Sequence, residues 1–239
     1  MTTPILAVRD LSAGYSGAPV IPGLGVSVEP GEVAVIIGPN GHGKTTFLRA
    51  VSGLLKPSGG EVLLDGEPVQ GRTPEYISGL GLVHIPQGDG LFAEMTVEEN
   101  LLMGAFPGSA WRDRRRALAR AYELFPGVRD RARQRARTLS GGERRLTALA
   151  RGLMRPSRIM LMDEPSLGLA PVAIDTVYGA IGELKEASTT ILLVEENFTH
   201  VGGIADTVHI VEMGAIVRSG SFDELSRDPT IVGTYLGSL

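Results

Sequence analysis

The chain has 239 residues, 43% of them hydrophobic, enough for one sizeable core with an attached subdomain. It has no cysteine, which excludes disulfides and cysteine-held metals and fits a reducing compartment. Its net charge of −4 is too mild to point to a partner, and its longest apolar runs, "VAVIIG" and "ILLV", fall well short of the roughly 20 residues of a membrane-crossing helix.

The first residues, "MTTPILAVRD", hold no basic region followed by an apolar stretch, so no signal peptide is expected and the cytosol is the expected location. "ILAVRDLSAGY" and "LGVSVEPGE" then alternate apolar with polar or small residues between Gly and Pro, a strand pattern. "EVAVIIG" is a continuous β-branched run, as in a strand buried on both faces. A glycine-rich loop follows, then "TTFLRAVSGLL" at helical spacing, a hairpin pattern in "GGEVLLDGEPV", and a strand in "LGLVHIPQ". From Thr96 to Leu153 the pattern is helical: "TVEENLLMGAF" opens on a Thr cap with early acids, followed by "RDRRRALARAYELF" and "SGGERRLTALARGLM". Strand signals return in "RIMLMDEP", "TILLVEE" and "TVHIVEMGAIVRSG", with a helix in "PVAIDTVYGAIGELKEA" between the first two. Strands alternating with helices predict a parallel α/β sheet in two sequence segments with a helical insert between them. After it only "TYLGSL" is read, so no sizeable regulatory domain is expected there.

"GPNGHGKTT" fits the pattern G-x-x-x-x-G-K-[ST] and lies between a predicted strand and a predicted helix, the context that phosphate-binding loop requires. The residues are Gly38, Pro39, Asn40, Gly41, His42, Gly43, Lys44, Thr45 and Thr46. Glycines let the backbone curl so that several N–H groups face phosphate oxygens, and the helix N-terminus adds its positive dipole end. Lys44 reaches the β- and γ-phosphates, the Thr45 hydroxyl can ligate Mg²⁺, and His42, at a free position, is expected to point away. "IMLMDEP" is an apolar strand ending in Asp163 and Glu164; beside a phosphate loop the first acid suits a Mg²⁺ contact and the second a base that orients the attacking water. "LSGGE" opens a helix, where Ser140, Gly141 and Gly142 form a second phosphate-sized nest of N–H donors. "ILLVEENF" ends another apolar strand in the paired acids Glu195 and Glu196.

The phosphate loop, "LSGG" and "DEP", in this order and spacing, closely resemble the nucleotide-binding subunit of an ABC transporter over nearly the whole chain. The resemblance implies an α/β P-loop NTPase (RecA-like) core with an N-terminal antiparallel β subdomain in residues 1–90 and 155–239, and an inserted helical subdomain in 91–154. It implies that Tyr15 stacks on adenine, and that Gln87 senses Mg²⁺ and γ-phosphate and links to the membrane subunit. It implies that the "LSGG" loop of one subunit closes over ATP held by another, in a homodimer or a heterodimer with a paralogous ATPase. "LFAEMTVEENLLMG", "YELFP" and "DEPSLGLAP" narrow it to the branched-chain amino acid importer group, especially its LivF-type ATPase, with urea and short-amide importers similar. The expected activity is hydrolysis of ATP with Mg²⁺, at the inner face of the membrane, driving a separate permease. A soluble ABC-type ATPase of the cofactor-assembly kind and a slow ATP-gated regulatory subunit stay open as alternatives.

In that family the strand after "DEP" ends in a switch histidine on γ-phosphate, where this chain has Glu196. Histidine or glutamine can donate to a phosphate oxygen; ionised glutamate cannot, and like charges repel in a closed site. Three readings stay open: Glu196 turns away and leaves γ-phosphate to Lys44 and Gln87, it takes up a proton when ATP closes the site, or the site is a slow clamp.

Ten of the 23 Lys and Arg residues lie between Arg112 and Arg137, offset there only by Asp113, Glu123 and Asp130. They form either a solvated helix face or a surface against the membrane subunit or anionic headgroups. Nucleic acid is not an expected partner, because few aromatics, Trp111 and Tyr122 among them, interleave with the arginines and the whole chain is acidic.

Overall fold

A computed structural model describes residues 3–15, 18–106, 108–231 and 233–234; the first two residues of the N-terminal stretch and the closing "YLGSL" lie outside them. In chain order it contains β1 (Leu6–Ala13), β2 (Ile21–Val28), β3 (Val33–Ile37), α1 (Lys44–Val51), β4 (Gly59–Leu64), β5 (Glu67–Pro68), α2 (Pro74–Gly79) and β6 (Leu82–Ile85). Then come α3 (Val97–Gly104), α4 (Arg114–Leu124), α5 (Pro126–Arg129) and α6 (Gly141–Gly152). The chain returns to the sheet through β7 (Ile159–Asp163), α7 (Pro171–Glu186), β8 (Ile191–Glu195), β9 (Thr207–Glu212) and β10 (Ala215–Gly220), and ends in α8 (Phe222–Leu225) and α9 (Pro229–Ile231).

β1, β2, β4 and β5 form an antiparallel sheet in the order β2-β1-β4-β5. The second sheet runs β10-β9-β3-β8-β7-β6, parallel except for the β9–β10 hairpin. β3 lies inside it, flanked by β8 and β9, and all five of its residues are buried. Successive side chains of a strand point to opposite faces, so β3 feeds two cores. Val33, Val35 and Ile37 join the core formed with α3, α6 and α7. Ala34 and Ile36 join the one formed with α1 and the antiparallel sheet. Each fully buried aliphatic side chain contributes about 1.5–3 kcal/mol relative to exposure, which explains the uninterrupted apolar runs of β3, β7 and β8.

Between β6 and β7 the described residues are helices and turns, apart from an isolated bridge between Thr96 and Arg135. α3 and α6 each open on a complete capping box, Thr96 with Glu99 and Ser140 with Glu143. Asn100, fully buried, accepts from the Phe92 N–H at 2.8 Å and donates to the carbonyls of Phe92 and Thr96, both at 3.0 Å, pinning the preceding loop onto α3. No described helix is long and apolar enough to cross a membrane.

Candidate functional site

The carboxyl ends of β3, β6, β7 and β8 lead into the residues singled out by their motifs, the usual place for a site on a parallel sheet. β3 runs straight into the glycine loop. A Cβ on Gly38 would lie 2.4 Å from the Val211 carbonyl oxygen, and Gly43, at φ 93°, would place one 2.6 Å from Ile21 Cγ2. Only glycine fits either position. α1 then begins without a side-chain cap, so its first-turn N–H groups remain for a ligand. A cavity of about 330 Å³ opens over this turn, lined by Val20, Asn40, Gly41, Gly43, Lys44, Thr45, Thr46, Gln87 and Glu164.

Lys44 and Glu164 form a buried ion pair at 3.1 Å, their side chains 3% and 5% exposed. The ammonium also donates to the carbonyls of Gly38 at 2.6 Å and Pro39 at 3.1 Å. The other Glu164 oxygen accepts from Gln87 Nε2 at 3.0 Å. Glu164 adopts φ 45°, a left-handed conformation that costs a non-glycine residue of order 1–3 kcal/mol. Its N–H donates to the Val194 carbonyl at 3.0 Å and its own carbonyl accepts from Arg145 Nη2 at 3.4 Å, which fixes that geometry. Asp163 accepts from the Thr45 hydroxyl at 3.0 Å; burial pushes its carboxyl above the usual range, the Thr45 bond opposes this, and the Glu164 charge adds to it.

The two acids at the end of β8 diverge. Glu195, 2% exposed, accepts from the Ser166 N–H at 3.0 Å and the Tyr178 hydroxyl at 2.8 Å through one oxygen, and from the Glu196 N–H at 3.1 Å through the other. Burial first, then the Glu195 charge, push the Tyr178 hydroxyl well above its ordinary range. Glu196 is exposed, and it accepts from Asn40 Nδ2 at 2.8 Å, so its carboxylate rests on the phosphate loop.

Arg145 was not legible as a site residue, although α6 periodicity places it with Ala148 and Leu149 on the buried face. It donates to the carbonyls of Pro86 and Gly88 as well as Glu164. Burial lowers its guanidinium, while the charges of Asp89, Glu195 and Asp163 hold it up. Two further α6 arginines grip the same loop: Arg144 bonds Asp89 at 2.7 Å, and Arg151 bonds the Gly90 carbonyl at 2.8 Å. Gln87 is thereby tied to the helical insert. Tyr178 and Glu195 were missed in this buried role too, since their pairing joins α7 to the end of β8 across 17 positions.

The remaining candidates sit apart from the cavity. His42 accepts from the Met213 N–H at 3.2 Å, away from the curl. Tyr15 is 59% exposed, and its hydroxyl accepts from Arg49 Nη1 on α1 at 2.9 Å. Ser140, Gly141 and Gly142 lie at the start of α6, outside the cavity lining. A Cβ on Gly142 would meet that of Ala173 at 2.9 Å, so this glycine permits the close approach of α7. In the arginine-rich segment Arg131 pairs with Glu143, Arg135 and Arg137 share Glu94, and Arg114 stacks over Trp111.

Curled N–H donors, one ammonium, a hydroxyl and an acid next to the ammonium can hold a polyphosphate and take a proton from water beside it. The family described as ABC transporter matches residues 21–167. The high-affinity branched-chain amino acid transport ATP-binding protein BraG of Pseudomonas aeruginosa is 34% identical, over 98% of this chain and 100% of its own. The corresponding LivG of Escherichia coli K12 is 33% identical over 99% of each, and the probable LivF of Archaeoglobus fulgidus 33% identical over 92% and 94%. Among solved structures, the ADP conformation of MJ1267, an ATP-binding cassette of an ABC transporter, superposes with a TM-score of 0.87 at 27% identity, over 99% of this chain and 100% of that one. The cbiO1 structure from Clostridium perfringens, part of the ABC transporter complex cbiONQ, gives 0.83 at 25% identity, over 96% and 93%. The chain belongs to the ABC transporter family as an ATP-binding subunit, homologous to branched-chain amino acid transport ATPases.

Proposed function

We propose that this member of the ABC transporter family hydrolyses ATP to drive import of branched-chain amino acids, or related small polar solutes, through a separate membrane permease. The observation that carries the reading is the meeting of Lys44, Gln87 and Glu164 at one cavity wall above the uncapped start of α1. Glu164 neutralises Lys44. A polyphosphate offers Lys44 a stronger anion, and Glu164, released from that pair, is left to accept a proton from the attacking water. Gln87 follows Glu164, and the α6 arginines pass its position to the helical insert, which we read as residues 91–154 packed on a core of 1–90 and 155–239.

Two hard oxygen donors meet where a cation would neutralise phosphate, the Thr45 hydroxyl and the Asp163 carboxylate bonded to it, and Gln87, which lines the same cavity as Thr45, would add its amide oxygen. Mg²⁺ held there would supply charge neutralisation between the phosphates. Tyr15 offers an exposed ring for adenine beside α1. Ser140, Gly141 and Gly142 point to a second copy or a paralogue: their N–H-rich start of α6 lies outside this chain's own cavity, and closing it over a neighbour's nucleotide would complete both sites. The chain would then sit as a peripheral dimer on the cytoplasmic face of the membrane.

The test is copurification with membrane permease subunits, followed by ATP-driven uptake of labelled leucine into vesicles. Uptake and nucleotide binding are expected to vanish together in Lys44→Ala. Undiminished ATP binding by that variant overturns the reading of the site, and ATP hydrolysis without a copurifying permease overturns the transport reading.

A further inference from the structure

Each of four side-chain donors on the cavity rim is held by an acid of the chain. Lys44 and Gln87 both engage Glu164, Thr45 engages Asp163, and Asn40 engages Glu196. Glu164 and Asp163 already have work in the proposed reaction; Glu196 has none. It lies one residue beyond β8, on an exposed turn, and no cation among the described residues pairs with it. Its side chain accepts from the Asn40 amide at 2.8 Å, and Asn40 lines the cavity beside Gly41 and Lys44.

Resting on the ATPase reading above, we propose that Glu196 is a positioning residue that acts through Asn40 to set how strongly the site prefers a nucleoside triphosphate over a diphosphate. The Asn40 amide carries two N–H donors and no charge, so it suits an anionic oxygen at the cavity mouth. A carboxylate oxygen and a phosphate oxygen would compete for the N–H that Glu196 now holds, and the nearer phosphate would be the terminal one if the inner phosphates lie in the curl over α1. A triphosphate gains the N–H that Glu196 now holds only by displacing that carboxylate, which is then left near added negative charge. A diphosphate ends short of Asn40 and leaves the Asn40–Glu196 bond in place. Glu196 therefore weakens triphosphate binding selectively and favours return to the open state after cleavage.

The experiment measures dissociation constants of ADP and of a non-hydrolysable ATP analogue, both with Mg²⁺, on the purified chain and on Glu196→Ala, Asn40→Ala and the double variant. Glu196→Ala is expected to tighten the analogue about tenfold, the scale of one hydrogen bond to a charged group, and to leave ADP within about twofold. In the Asn40→Ala background the same substitution is expected to change neither ligand beyond about twofold. An equal gain in both backgrounds overturns the proposal, since the acid would then act on phosphate directly. No gain at all, or an equal change for both nucleotides, also overturns it. A merely structural role would alter melting temperature without altering the ratio of the two constants. The ATPase reading fails separately: in that case Lys44→Ala binds the analogue as well as the unaltered chain does.

Discussion

The strand-end cluster around Glu164 and the glycine start of α6 are both built to receive anions, yet they are finished to different degrees. At the strand ends each polar group answers another inside the chain: Lys44 has Glu164 and two carbonyls, Gln87 has Glu164, and Thr45 has Asp163. At the start of α6 the capping box satisfies only the Ser140 and Glu143 backbone N–H groups, leaving Ser140 and Gly141 exposed. A self-satisfied cluster can be tested in one chain; an open one acquires its function only when something covers it. Arg145, Arg144 and Arg151 connect the two along α6, so the regions are separable in chemistry but not in position.

The largest expected effect breaks the first region alone. Glu164→Gln keeps the shape, the strained backbone and the Gln87 contact but removes the proton acceptor. ATP turnover by the assembled transporter should fall about 10²- to 10⁴-fold, while binding of ATP, measured by displacement of a fluorescent nucleotide, stays. Retained turnover would remove Glu164 from the role of base.

Next in size is the connection. Arg145→Met fills similar volume but leaves the carbonyls of Pro86, Gly88 and Glu164 without their shared donor. Loss of about 3 kcal/mol is expected in urea unfolding, by analogy with removing one member of a buried charged network. Turnover should fall as well, because nothing else in α6 fixes the left-handed Glu164. If stability drops but turnover per folded molecule does not, the two regions are not coupled through Arg145.

A smaller effect lies on β6, the strand that leads to Gln87. His84, on β6, shares its Nδ1 with the Ser52 hydroxyl at 2.9 Å, and its Nε2 is buried without a partner. Burial, with the Arg49 charge adding, lowers its pKa from 6.5 to about 4. Above pH 6.5 the ring is neutral whether the chain is folded or not, so it does not alter stability. Between pH 6.5 and about 4 the unfolded chain takes the proton first, and stability falls by up to about 1.4 kcal/mol per pH unit, or about 2 kcal/mol by pH 5. His84→Gln should flatten the melting temperature across that window; an unchanged slope would place the acid sensitivity elsewhere, with His209, also lowered by burial, the next group to replace.

These expectations separate what the sequence could show from what it could not. The glycine loop was legible because its requirements are local: positive φ at Gly41 and Gly43 and a helix start after them are written within nine residues. The β3, β7 and β8 runs were legible because burial on both faces leaves no polar residue to interrupt them. α2 was missed because six residues behind Thr73 and Pro74 are too few for a period to register. Of Glu195 and Glu196, alternation says only that they point to opposite sides. Which one is buried depends on Tyr178, a residue of α7, and which one meets the phosphate loop depends on Asn40, 156 positions away. Gln87 came only from a family likeness, since one glutamine after a short strand has no local signature.

The smallest effect gives the sharpest test of the comparison, because the chain carries its own control. Thr96 opens α3 and Ser140 opens α6 with the same capping box: hydroxyl to the N–H of the third helical residue, glutamate back to the cap N–H. Thr96→Ala and Ser140→Ala should therefore each cost about 1 kcal/mol of stability, read by urea midpoint. If α6 begins with nothing more than a cap, the two variants should also match in ATP turnover within the assembled transporter. If its start closes over a neighbour's nucleotide, Ser140→Ala alone should lower turnover and weaken nucleotide-dependent association of two chains, while Thr96→Ala leaves both unchanged. Equal stabilities with unequal turnover would mean that the loop's second task is set by its exposure and by Gly142 packed on Ala173, since the cap itself is the same in both helices.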